Sequence, residues 1–137
     1  MKIHTKIRQA AIAAVRQAVA GRDVSVFDGR PGFISDVNDL PAVAVYITDA
    51  QSAPMGGVLC GIDAWEAVLH VEIFLKSNSP DSELDEWTEL LYRAVYESSE
   101  LERLTNIFSP QGYDYLRDEE QMMWGSADFR FSITYEV

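Results

Sequence analysis

Cysteine is all but missing from this 137-residue chain: Cys60 stands alone, so no disulfide can form within it. No histidine, lysine or arginine lies close to Cys60 in sequence to lower its pKa, and it reads as an inert loop thiol. Positive charge is scarce too. Eleven lysines and arginines face 22 acids, for a net charge of −11 and a pI of about 4.4. Such a surface repels a phosphate backbone and excludes tight nonspecific nucleic-acid binding. No run of about 18 apolar residues occurs, so no membrane span is expected. The opening MKIHTKIRQAAIAAVRQAVAG has the outline of a signal peptide, but Arg16 and Gln17 interrupt its apolar stretch and no small-residue cleavage site follows. It reads as an amphipathic helix in a protein made and kept in a cytoplasm.

What is present suits one compact domain over residues 1–137, with 47% hydrophobic content. Charge is distributed unevenly. Residues 1–22 hold five basic side chains and no acid, while the remaining 115 hold 6 basic and 22 acidic ones. A basic first element could therefore meet an acidic surface in this chain or in a neighbouring copy.

Apolar residues at 3, 7, 10, 11, 14, 15 and 18 mark one face of a first helix, which Gly21 stops. Val24 to Phe27 is a short strand, followed by the turn residues of DGRPG. Pro41 opens a strand over AVAVYIT, and a loop runs from Asp49 to Ile62. WEAVLHVEIFLK then alternates, with Trp65, Ala67, Leu69, Val71, Ile73 and Leu75 on one face and Glu66, His70, Glu72 and Lys76 on the other. Ser79 as N-cap and Pro80 as first residue begin a second helix, whose buried stripe is Leu84, Trp87, Leu91, Ala94 and Val95. A helical turn at Leu101–Leu104 and two strands, around Tyr113/Tyr115 and from Ala127 to Val137, complete the chain. The order α-β-β-α-β-β, with a short extra strand after the first helix, predicts an α+β two-layer sandwich. Its sheet is mainly antiparallel or mixed, and the two main helices pack on one face.

Chemistry finds little support. His70 and Glu72 form an H-x-E pair without the cysteines of a zinc deaminase, so His70 reads as a solvated strand-face residue. The acids of 81–89 and 118–120 lack the spacing of a calcium loop. No G-x-S-x-G elbow or P-loop occurs. Aromatic residues near Arg117 and Arg130 could stack on bases, but the acidic excess favours plain sheet packing. Two features stand out: the apolar loop SAPMGGVLCGI, and FDGRPGF at 27–33. In the latter, Gly29 and Pro31 present Arg30 on a constrained knuckle, suited to forking onto a carboxylate. That carboxylate belongs either to this chain, as an internal salt bridge, or to a neighbouring subunit.

Several stretches taken together, FDGRP at 27–31, DLPAVAVYIT at 39–48, PDSELDEW at 80–87, GYDYLRD at 112–118 and SADFRFSITYEV at the end, resemble the tail terminator (minor tail protein U) family of lambda-like siphophages. Their colinearity over nearly the whole chain carries the resemblance. It implies a structural protein and not an enzyme: a hexameric ring that caps the tail tube at its set length, stops further tube polymerisation and offers a surface for head attachment. The implied partners are its own copies, the tail tube protein and a head–tail joining protein. DNA would pass through the ring without sequence-specific binding. The implied place is the head-proximal end of the virion tail, after assembly in the host cytoplasm. No cofactor is expected beyond a weak divalent-cation dependence of assembly. A ring needs one patch to meet a different patch on the next subunit. The candidate interface residues are Lys6 and Arg16 on the first helix, Glu86 and Glu89 on the second, Asp28 and Arg30 on the knuckle, and Arg117 and Asp118 at the end of GYDYLRD. The alternatives are another head–tail completion ring protein and, in a different class, an acidic DNA mimic.

Overall fold

The computed structural model describes residues 1–32, 40–52, 63–77, 79–117 and 124–137, the side chains of Arg117 and Trp124 excepted. Asp118 and the apolar loop containing Cys60 therefore lie outside the described residues. The elements are α1 (Lys2–Ala18), β1 (Ser25–Asp28), β2 (Ala42–Ser52), β3 (Ala64–Lys76), α2 (Pro80–Tyr96), α3 (Ser99–Leu104), β4 (Ile107–Arg117) and β5 (Trp124–Glu136).

Helix α1 forms because Ile7, Ala10, Ala11 and Val15 recur at helical spacing and all four are buried. Gly21 turns the chain out of it at φ +83°, a conformation that a Cβ would disfavour. Pro80 begins α2 and Ser79 precedes it as expected, but the Ser79 hydroxyl does not cap. Ser77 takes over that end: its Oγ accepts the Ser79 N–H at 3.0 Å and donates to Glu83 Oε1 at 2.8 Å. Leu84, Leu91 and Val95 of α2 are buried as predicted. Trp87 is only half-buried, with the Arg22 guanidinium 5.1 Å from its ring centroid.

The five strands form one sheet in the order β1-β2-β3-β5-β4. β1 runs parallel to β2, and every other pairing is antiparallel. The last strand thus sits inside the sheet beside β3, leaving β1 and β4 as edges. Helix α1 lies over β1 and β2, α2 lies over β3, β5 and β4, and the two helices pack against each other. This is the expected α+β arrangement, with the apolar alternation of β3 and β5 turned into the core: Leu69, Val71, Ile73, Phe131, Ile133 and Tyr135 are all fully buried.

The strands run further than their sequence suggests. β2 continues to Ser52, so the first four residues of the loop expected from Asp49 to Ile62 belong to the strand, and β3 starts at Ala64, one residue before the expected Trp65. The break in register between Thr48 and Gln51 lies at Asp49, whose φ is +57°. Aspartate tolerates that left-handed conformation, so the irregularity passes as a bulge and pairing resumes.

Candidate functional site

Three surfaces carry the candidate residues: the sheet face turned away from the helices, the turn after β1, and the outer sides of the two long helices. On the sheet face, register brings residues that are far apart in sequence into rows. Tyr46 lies opposite His70, which lies opposite Arg130; in the next row Glu72 pairs with Asp128, and Asp128 with Asp114. Three carboxylates across three strands would repel one another, and the adjacent row answers them.

His70 is the hub. Its Nδ1 is 2.9 Å from Asp128 Oδ2, its Nε2 is 2.6 Å from Thr48 Oγ1, and its ring stacks on Tyr46 with centroids 4.5 Å apart. Because an ionised carboxylate only accepts, Nδ1 carries the proton between them. Tyr46 donates its hydroxyl hydrogen to Glu72 Oε1 at 2.8 Å, and Ser126 donates to Glu72 Oε2 at 2.9 Å. Burial, reinforced by the Glu72 carboxylate, raises the Tyr46 pKa, so the phenol keeps the proton it donates. Arg130 donates to Asp114. His70 is 9% exposed and Glu72 1%. The expectation of a solvated strand-face His70 is therefore wrong: the ring is held within a network from β2, β3 and β5. Among the described residues, no three histidine, cysteine, aspartate or glutamate side chains gather as a metal site.

The order Thr48–His70–Asp128 is also that of nucleophile, base and orienting acid. The electrostatics oppose that reading. Thr48 Oγ1 lies 3.3 Å from Asp49 Oδ2, and Glu72 lies beside His70 on the same face, so an oxyanion developing next to Thr48 would meet negative charge where donors are required. The network serves as a cross-strand clamp.

At the knuckle, Gly29 adopts φ +96° and its N–H reaches Val45 O at 2.7 Å, fixing the turn onto β2. The internal salt bridge exists, but between Asp28 and Arg8: Arg8 Nε donates to Asp28 Oδ1 at 2.6 Å and ties the turn to α1. Arg8 was missed as a site residue, since only the fold brings it to Asp28. Arg30 is exposed beside an open hollow that also contains Arg8, Asp28, Tyr46 and Thr48. Among the described residues, no carboxylate pairs with Arg30.

The remaining candidates divide between the flanks. Lys6 and Arg16 are exposed on the outer stripe of α1, and Glu86 and Glu89 on that of α2. Glu89 accepts from Arg93 one turn on, at 3.2 Å. Arg117 ends β4 at the sheet edge. Lys6 and Arg16 share α1 but stand ten residues, about 15 Å, apart along it, whereas Glu86 and Glu89 are one turn apart on α2 and Asp28 and Arg30 share the turn after β1.

Comparison with known proteins agrees with this architecture. A chain in the virion of a native gene transfer agent particle superposes with a TM-score of 0.59, covering 98% of this chain and 94% of that one at 13% identity, which establishes a shared fold. The tail tube terminator protein of Escherichia phage N15 is 44% identical over 135 residues, and that of Escherichia phage lambda 41%, each alignment covering 98% of both chains. The family model described as phage minor tail protein U matches residues 2–135, and the chain belongs to this family of bacteriophage tail terminators.

Proposed function

We propose that the protein ends tail growth by closing into a ring, of six copies, on the tip of the tail tube. The ring blocks addition of further tube subunits, and its free side receives the head through a head–tail joining protein. DNA passes through the hole. With a net charge of −11 per copy, a lining that shares this sign repels the duplex and lets it slide without sequence-specific binding. The function is one of shape and charge with no catalytic step, exercised at the head-proximal end of the tail after assembly in the host cytoplasm. Divalent cations act at most weakly, by shielding acids between copies. The Asp28–Arg30 turn supplies one subunit contact, its exposed guanidinium forking onto a neighbour's carboxylate.

The observation that carries this reading is the end-to-end similarity, at 41–44% identity, to two proteins named tail tube terminators. Complementation tests it. Supplied to a terminator-defective lambda-like phage, the protein should restore tails of normal length that join heads; overlong tails would overturn the proposal. Arg30→Glu should abolish rescue, and unchanged tail length with that variant would dismiss the knuckle contact.

A further inference from the structure

The sheet order separates charge in space. α1 lies over β1 and β2 while α2 lies over β3 and β5 and reaches β4 through Asp85 and Thr88, so the outer side of α1 belongs to the β1 half of the sheet and that of α2 to the β4 half. The α1/β1 side exposes Arg30 after β1 and, on the outer surface of α1, Lys6 and Arg16; of the acids at β1, Asp28 is held by Arg8, and Asp23 before it is exposed. On α2, Asp85 and Glu89 stand beside β4, Asp85 accepting from the Tyr113 and Tyr115 hydroxyls, and Glu83 and Glu86 are exposed on the same helix; its one basic residue, Arg93, is held by Glu89. Each copy is therefore an electric dipole laid across the strands.

The β4 flank also has an open edge. β4 spans 11 residues and no strand borders its outer side among the described residues. Ile107, Tyr115 and Leu116 on it are 57%, 41% and 50% exposed. An edge of that length with apolar side chains is a template for association. The opposite edge, β1, has only four residues.

We infer that the β1/α1 flank of one copy docks on the α2/β4 flank of the next copy. The pairing rests on the ring reading above and specifies which surfaces close the ring. Two unlike, oppositely charged flanks make a head-to-tail contact, the kind that generates rings. Like flanks brought together would juxtapose charges of one sign, which disfavours that pairing. Charge therefore selects head-to-tail order over face-to-face pairing, and the apolar β4 edge supplies burial once the order is set.

A charge-swap mixing experiment tests this with the full-length protein. Lys6→Glu/Arg16→Glu gives a copy with two acidic flanks, and Glu86→Lys/Glu89→Lys one with two basic flanks. Each alone should need at least about tenfold more protein than wild type to form rings, read by sedimentation with and without tail tubes. An equimolar mixture should restore rings, since copies can alternate around an even number of positions. The variant carrying all four changes should form rings alone. Unchanged circular dichroism and melting confirm that each variant folds. If both pairs of changes leave wild-type-like rings intact, or if the folded mixture and the fourfold variant stay apart, the flank pairing is overturned while the ring stands. If wild-type protein never closes, even on tubes, the ring reading itself falls and takes the pairing with it.

Discussion

The two faces of the sheet solve the same packing problem by opposite means. The face under the helices buries Leu69, Ile73, Phe131 and Ile133 completely, and its cohesion comes from removing apolar surface from water. The other face buries Glu72, His70, Asp128 and Ser126, and stays together because each polar atom has a partner on a neighbouring strand. The first face tolerates exchange of one hydrocarbon for another of similar volume. The second does not, because a lost partner leaves a buried acceptor or donor unsatisfied. The apolar face thus supplies bulk stability, and the polar face fixes the register of β2, β3 and β5 relative to one another.

That contrast can be broken by mutation. The largest effect belongs to Phe131→Ala, which empties a site where Phe131 packs against Tyr92 and Phe108, with centroids 5.8 and 4.6 Å away. Urea denaturation should show a loss of about 3–5 kcal/mol. On the polar face, Asp128→Ala strips His70 Nδ1 of its acceptor and should cost about 1–3 kcal/mol. Replacing His70 and Asp128 together by apolar residues should recover part of that loss. A double variant worse than the sum of the singles would show that the polar face is stabilising in its own right.

A smaller effect comes from the rim of the apolar face, where Tyr135 hydrogen-bonds to His4. Burial lowers the His4 pKa, helped by the positive N-terminus and Arg8. The unfolded chain therefore binds a proton more readily than the folded one, and stability is complete above the ordinary histidine value of about 6.5 and declines as pH falls below it. His4→Gln should flatten that part of the melting-temperature profile; an unaltered slope would assign it to other groups. The smallest effect is expected for Arg8→Ala. The Arg8–Asp28 pair is partly exposed, at 25% and 47%, so its removal should cost about 0.2–1 kcal/mol while loosening the turn that carries Arg30. Proteolysis near Gly29 measures the loosening separately from the stability.

Much of this was legible beforehand in particular residues. The alternation of Trp65 to Leu75 and of Phe129 to Tyr135 reports its own buried face, because strand side chains change sides at every residue. The same alternation placed His70 and Glu72 on the second face, but could not disclose that they are buried there. Their burial depends on Tyr46, Thr48, Ser126 and Asp128, which reach them only through strand register. Arg8 was equally silent: its spacing says helix, and nothing local says Asp28.

The sequence alone determined the element types, the apolar stripes and the surplus of basic residues before position 23, since each depends on neighbours a few residues away. Only the tertiary structure decided that β5 enters between β3 and β4. That choice lays α2 over β3 and β5, beside α1 on β1 and β2, and sets His70 against Asp128. Such pairings join segments tens of residues apart, and the physical terms that select them, burial and charge compensation, exist only once the strands are side by side.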